Sequence, residues 1–160
     1  MVSVQIGAYY YLQKSYGGAT SKTAIQCGSL TTGNPSETNT VAVNTLINYG
    51  NETKKWYNRT DIPAGWNFYQ LTLALASCNV EASFYGPPLS EHYVTGINGV
   101  VNRGSTYWTI WMFCQNQNGW SVAPVGADRI LPENGQTLAW AYEISYHLPI
   151  PGAKQVGVCS

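Results

Sequence analysis

Pro63-Ala64-Gly65-Trp66-Asn67-Phe68-Tyr69-Gln70-Leu71-Thr72-Leu73-Ala74-Leu75-Ala76-Ser77-Cys78 is the stretch on which the fold turns. Asn67 reads as a helix N-cap, and Gln70 three residues on has the spacing of a capping box. Behind it Phe68, Leu71, Leu75, Cys78 and Ala82 recur at steps of three and four. That period is one face of a helix, and it predicts a single helix of about four turns. Cys78 falls on its buried stripe.

On both sides of this segment the period changes from helical to alternating. Upstream, Val41, Val43, Thr45, Ile47 and Tyr49 alternate through Thr40–Tyr49, and Gly50-Asn51 makes a turn. The chain returns as a second strand over Thr53–Thr60, which completes a hairpin. Further upstream Val2, Val4, Ile6 and Ala8 alternate with Ser3, Gln5 and Gly7 in another strand pattern. From Gly17 to Ser36 a long Gly/Thr/Ser/Asn loop follows, anchored at Cys27. Downstream, Gly86-Pro87-Pro88 ends the helical region. Then come Tyr93–Ile97, Tyr107–Cys114, a short strand near Arg129–Leu131 and a long one over Thr137–His147. The turns Asn98-Gly99, Asn118-Gly119 and Asn134-Gly135 punctuate them, because Asn and Gly tolerate positive φ. A hairpin, one helix and several antiparallel strands predict an α+β fold, a sheet wrapped over a single helix. The expected division is an N-terminal extension over 1–39, the main domain over 40–148 and a tail over 149–160.

The chain has 160 residues, enough for one domain with a core of its own. Only 10% of residues are charged, against the roughly 25% usual in soluble proteins, while 13% are aromatic. Uncharged Asn, Thr, Ser, Gly and Tyr fill the difference, a surface that suits an extracellular β protein. Net charge is zero, and no basic patch or run marks a nucleic-acid interface. No apolar stretch is long enough to span a bilayer. The N-terminus has neither the charged nor the apolar region of a signal peptide. It therefore fits either a cytosolic protein or a mature chain whose leader a Met has replaced.

Cys27, Cys78, Cys114 and Cys159 are widely spaced with no CxxC pair, which argues against zinc and for two disulfides. Three connectivities are open. The buried position expected of Cys78 favours Cys78–Cys114 in the core, leaving Cys27–Cys159 to tie the chain ends. Two glycosylation sequons, Asn51-Glu-Thr53 and Asn58-Arg-Thr60, point to secretion as well.

From about Thr40 to Ile144 the motifs and their order resemble a known family. The Ala64-Gly65 pair opens an apolar helix, and Tyr93-Val94-Thr95-Gly96-Ile97-Asn98-Gly99 follows. A third run goes from Tyr107-Trp108 through Asn118-Gly119 and Val125-Gly126-Ala127-Asp128 to Gly135-Gln136-Thr137-Leu138-Ala139-Trp140-Ala141-Tyr142. Together these resemble the C-terminal β-domain of the cobalamin carriers (intrinsic factor, transcobalamin, haptocorrin) and its stand-alone relatives. The resemblance implies a β-grasp-like sheet around one helix and candidacy of Tyr107 and Trp108 for contact with a corrinoid. The carriers, however, enclose the vitamin between this domain and a helical barrel. Here no barrel segment is present and an extra strand and loop lead the chain. A corrinoid half-site would then need a second chain to complete it. The four cysteines are also foreign to the carriers' small domain.

Tyr107, Trp108, Trp111 and Trp120 form the densest aromatic cluster, with Trp140 and Tyr142 on the last strand. Neighbours in a strand face opposite sides, so Tyr107 and Trp108 cannot both be buried by one layer. Trp111 and Trp140 read as core. Tyr107, Trp108, Trp120, Asn118 and Val125, with the loop from Asn116 to Ala127, read as the ligand contact surface. His92 and His147 lack metal-ligand spacing and read as surface residues at strand ends. Asp128 reads as a loop residue bonding its own backbone. No Gly-x-Ser-x-Gly elbow, phosphate loop or carboxylate pair supports catalysis, and no cofactor is implied. The expectation is a secreted, non-catalytic binding module for a large flat or apolar molecule. The alternative is a structural or interaction domain that self-associates through exposed aromatics.

Overall fold

In a computed structural model, residues 39–144 and 147–159 are described. The expected strand over residues 2–11, the loop after it and Cys27 lie outside these residues. Strands β1 (Thr40–Asn48) and β2 (Lys54–Pro63) form the expected hairpin, followed by helix α1 (Phe68–Leu75). Then come β3 (Val80–Tyr85), β4 (Glu91–Ile97), β5 (Val100–Val101) and β6 (Thr106–Cys114), with β7 (Gly119–Val122) and β8 (Thr137–Ile144) last. A five-stranded sheet has the order β2-β1-β8-β6-β7, and β3-β4-β5 make a second, smaller one. Among the described strands the ladders are antiparallel except between β1 and β8, where Asn44–Asn48 run parallel to Thr137–Ala141; an isolated bridge between Trp120 and Gln155 is parallel too. The α+β, β-grasp-like layout, with one α-helix among the described residues set on a mixed sheet, is as expected.

Asn67 caps α1 as anticipated: its side chain accepts from Gln70 N at 2.8 Å, and its own N–H donates to Gln70 Oε1 at 2.9 Å. The helix is shorter than its stripe suggested, eight residues instead of about four turns. Ser77 and Cys78 both adopt left-handed backbone, with φ of 51° and 59°, and Cys78 N–H closes the end on Leu73 O at 2.7 Å. Such a left-handed ending stops a helix. Beyond it Val80 and Ala82 are half-buried strand positions of β3, so a helical spacing continued by chance into a strand. The expected strand near Arg129–Leu131 is instead a 3₁₀ turn over Ala127–Arg129.

The helix packs on one face of the five-stranded sheet. Trp140 lies parallel to Phe68 with ring centroids 5.6 Å apart, and its Nε1 donates to Thr72 Oγ1 at 2.8 Å. Val43, Ile47, Ile62, Leu71 and Leu138 fill the space around them, all buried. The opposite face holds a second core of Leu46, Trp111, Trp120, Ala139 and Ala141, with Leu148, Ile150 and Ala153 of the tail packed against it. The tail then runs alongside β7: Trp120 N–H donates to Lys154 O at 2.8 Å, and Val156 N–H to Trp120 O at 2.9 Å. Gly119 permits this approach, since a Cβ there would sit 2.6 Å from Val156 Cγ1 and 2.9 Å from Lys154 O.

That path overturns both expected disulfides. Cys114 is bonded to Cys159, with Cα atoms 5.2 Å apart, so neither Cys78–Cys114 nor Cys27–Cys159 forms. Gly119 pairs with Cys114 across the β6–β7 ladder, and a tail lying along β7 therefore ends beside Cys114. Cys78, past the end of the helix rather than on its buried stripe, is disulfide-bonded too.

Closing the loop of sequence separation 45 between Cys114 and Cys159 stabilises the fold by about 4 kcal/mol on the chain-entropy account. Cys159→Ser should lower the denaturation midpoint accordingly and shift Trp emission to the red as Trp120 loses its cover. Unchanged emission and midpoint would show that the tail holds without the bond.

Glu143 lies on the tail-covered side of β8, where its Oε1 accepts from Thr109 Oγ1 and Trp111 Nε1, each at 2.8 Å. Burial raises its pKa above the ordinary carboxylate value; the bonds from Thr109 and Trp111 and the charge of His147 oppose the shift. A raised folded-state pKa means the protonated form suits the fold, and stability is lost as pH rises through that pKa. Glu143→Gln keeps the acceptor and removes the charge. It should raise Tm at neutral pH, and the gain should vanish below about pH 4, where the native side chain is protonated. A pH-independent difference would contradict this.

Candidate functional site

The candidate site arises from unequal strand lengths. β6 has nine residues and β7 four, so β7 covers only Trp111–Cys114. At Ala123, whose N–H donates to Ile110 O at 2.9 Å, the chain leaves the sheet and crosses towards β4. The part of β6 left uncovered, residues Tyr107–Thr109, thus faces with Ile110 a cleft of about 370 Å³. Its other walls are His92–Val94 of β4 and the crossing segment with Val122, Val125 and Gly126. A second groove of about 280 Å³, lined by Tyr85, Leu89 and Glu91, shares His92, Tyr93 and Gly126 with the first.

Of the residues expected to contact a ligand, Tyr107, Trp108 and Val125 come together in this cleft. Tyr107 is half-buried and Val125 exposed. Trp108 is only 4% exposed, and its Nε1 is committed to Val100 O at 2.8 Å. Its ring meets Tyr49 edge-on at 5.7 Å and Tyr142 at 5.3 Å, so it builds the wall more than it reaches out of it. Trp120 and Asn118 lie apart from the cleft. Trp120 is buried in the second core against Phe113, and Asn118 is an exposed left-handed residue at the end of the turn after β6. Trp111 and Trp140 are core, as expected.

The floor shared by the two grooves was not legible in the sequence. His92, read as a surface residue, is buried, its ring stacked on Tyr69 at 4.1 Å and tilted against Phe84 at 4.9 Å. Asp128 does not bond its own backbone. Its Oδ1 lies 2.9 Å from His92 Nδ1, and its Oδ2 accepts the His92 backbone N–H at 2.7 Å. A carboxylate so placed favours the tautomer with a proton on Nδ1. Next to this pair Arg129 Nε meets Glu91 Oε1 at 2.5 Å, and the Arg129 guanidinium also donates to Leu89 O at 3.0 Å. The pairs join residues 36 and 38 apart in sequence, and no local spacing signals such a contact. Gly126 belongs to the same clamp, because a Cβ there would sit 2.9 Å from Glu91 Oε2. His147 is exposed, as expected.

No family model matches the chain, and no curated protein matches it. Among solved structures it is similar to a candidate metal-binding protein from Ruminococcus gnavus, at 10% identity and a TM-score of 0.50 over 66% of this chain and 99% of that one. It is also similar to haptocorrin in complex with Cbi, at 16% identity and a TM-score of 0.50. There the match covers 71% of this chain but 28% of haptocorrin. The likeness is one of fold. It agrees with the β-domain architecture read from the motifs and assigns no ligand. Among the described residues, no group of three or more His, Cys, Asp or Glu side chains could hold a metal ion.

Asp128 holds β4 to the crossing segment through two short bonds, and its carboxylate is mostly buried. Asp128→Ala should cost about 3 kcal/mol of unfolding free energy in a denaturant titration. Asp128→Asn, which keeps an acceptor oxygen, should cost less. Equal costs would show that the acceptor geometry is immaterial.

Proposed function

We propose that this chain is a secreted, non-catalytic binding module whose cleft takes one part of a large flat or apolar molecule, a corrinoid being the favoured class. The cleft beside β6 carries this reading. Its walls set the Tyr107 and Tyr93 rings and Val125 among polar groups such as His92 and Thr109, a mixed lining that offers aromatic faces to a flat ligand. At about 370 Å³ it lies at the small end of ligand pockets, which run from roughly 300 to 1,000 Å³. A corrinoid would fill it with one edge only and extend over the adjoining groove, leaving its far side to a second protein or a second copy of the chain. The similarity to a protein solved with Cbi supports the choice of class. The cystines at Cys78 and Cys114–Cys159 support an oxidising, extracellular setting.

Titration with cobalamin should quench Trp emission saturably, since Trp108 forms a wall of the cleft. Tyr107→Ala should weaken binding about tenfold, the loss expected for one stacking side chain, whereas Trp120→Phe should leave affinity unchanged. Absence of saturable quenching over a wide concentration range overturns the corrinoid reading.

A second reading has its own observation. Phe84, Tyr85, Leu89 and Tyr93 are each 46–53% exposed around the second groove. Side chains of this kind pack at protein interfaces. A light-scattering mass of twice the monomer, returning to the monomer in Tyr93→Ser, would favour a self-associating interaction domain over a ligand carrier.

A further inference from the structure

We propose that Asn51 and Asn58 both carry N-linked glycans, and that the first sugar at Asn58 packs on the ring of Trp56. Both sequons fall on the β1–β2 hairpin, and both acceptor residues are exposed. The middle residue of each is left-handed: Glu52 has φ of 67° and Arg59 φ of 49°. Non-glycine residues seldom adopt that conformation. Each sequon is therefore a kink standing out from the sheet rather than a flat stretch of strand. At the first, Asn51 Oδ1 accepts the Thr53 N–H at 3.2 Å, which turns the chain so that Thr53 lies beside the acceptor amide. At the second, β2 bulges opposite Asn44, whose Oδ1 takes the Arg59 N–H at 2.9 Å.

Trp56 adds an observation independent of the motif. It pairs with Leu46, a residue of the tail-side core, and Asn58 follows two residues on, where the bulge begins. Trp56 is 42% exposed, and its indole offers an apolar surface that the less polar face of a sugar ring would cover. β2 is also the outer strand of the five-stranded sheet, pairing only with β1 among the described residues. Edges of this kind invite aggregation and are commonly blunted. Lys54, Lys55 and Arg59 supply charge there, and two glycans would add bulk. The cleft lies beyond the far side of β8, so glycans on β2 leave it open.

The donor is a lipid-pyrophosphate-linked oligosaccharide. Asn Nδ2 bonds to C1 of its first sugar, the C1–O bond to pyrophosphate breaks, the amide loses one proton, and the lipid pyrophosphate departs. This modification rests on the secreted reading of the chain but not on the ligand, which the cobalamin titration tests separately. The full chain, sent through the secretory route of a eukaryotic cell, should lose two glycan masses on treatment with peptide-N-glycosidase. Asn51→Gln and Asn58→Gln should each lose one. Trp56→Ala should lower site occupancy at Asn58, or remove the difference in Tm between its glycosylated and deglycosylated forms, without altering Asn51. If the chain is not exported, translation into microsomes reads the same mass shifts. A folded, translocated chain without glycan at either asparagine overturns the assignment there, and an unchanged Asn58 in Trp56→Ala overturns the packing.

Discussion

The parallel ladder between β1 and β8 is the constraint on which the rest of the molecule depends. It joins Asn44–Asn48 to Thr137–Ala141, about ninety residues away, and places the hairpin at one side of the sheet and β6–β7 at the other. Parallel neighbours cannot be joined by a tight turn, so the whole intervening chain must cross over between them. That crossover carries α1, and the helix consequently lies across the face of the strands it connects. Trp140, in the middle of β8, secures the arrangement by stacking on Phe68 and bonding Thr72. An indole buried without a partner for its N–H would cost about 1–3 kcal/mol, so this one bond fixes helix against sheet and not merely near it.

A sheet with a helix on one face has a second face to cover. Here the tail supplies the cover: Leu148, Ile150 and Ala153 lie over Trp111 and Trp120. Asn48 Nδ2 holds the start of the tail through Pro149 O at 2.7 Å, and Cys114 holds its end. Both anchors are needed in physical terms, because a segment of about a dozen residues buries too little apolar surface to offset its own ordering entropy. Two layers on one sheet follow, a helix on one side and a disulfide-pinned strap on the other.

The elements legible in the sequence were those with a local cause. The capping box at Asn67 and Gln70, the hairpin around Gly50-Asn51 and the Asn-Gly turns each rest on residues within a few positions of one another, and each stands where it was expected. The end of α1 misled because Ala82 continued the helical spacing while two left-handed residues, Ser77 and Cys78, had already turned the chain. Neither residue type signals that conformation as glycine does. The disulfide failed for the same reason at longer range. Pairing Cys78 with a core strand depended on Cys78 being helical, whereas the actual bond follows from a tail lying along β7. Of the site, Tyr107 and Trp108 could be named from the aromatic cluster they belong to and from the resemblance of the surrounding motifs. The His92–Asp128 and Glu91–Arg129 contacts could not, since they exist only because the crossover brings β4 against the 3₁₀ turn.

The same crossover explains why the cleft falls where it does. β6 needs nine residues to pair with both β8 and β7, but β7 ends after four because the chain must travel to β4 before returning as β8. The strand length left over is Tyr107–Thr109, because the segment that leaves β7 makes its last bond to β6 at Ile110 and then turns away. Closing the gap by sliding the crossing segment inward would break both carboxylate contacts, which hold Ala127–Arg129 to the start of β4. Gly126 lets that segment lie close against Glu91, where a Cβ would sit 2.9 Å from its Oε2. The opening is thus held by two ion and hydrogen-bond pairs between β4 and the 3₁₀ turn, so its walls are in place without a ligand. Preformed walls lower the ordering cost of any binding that the cleft supports.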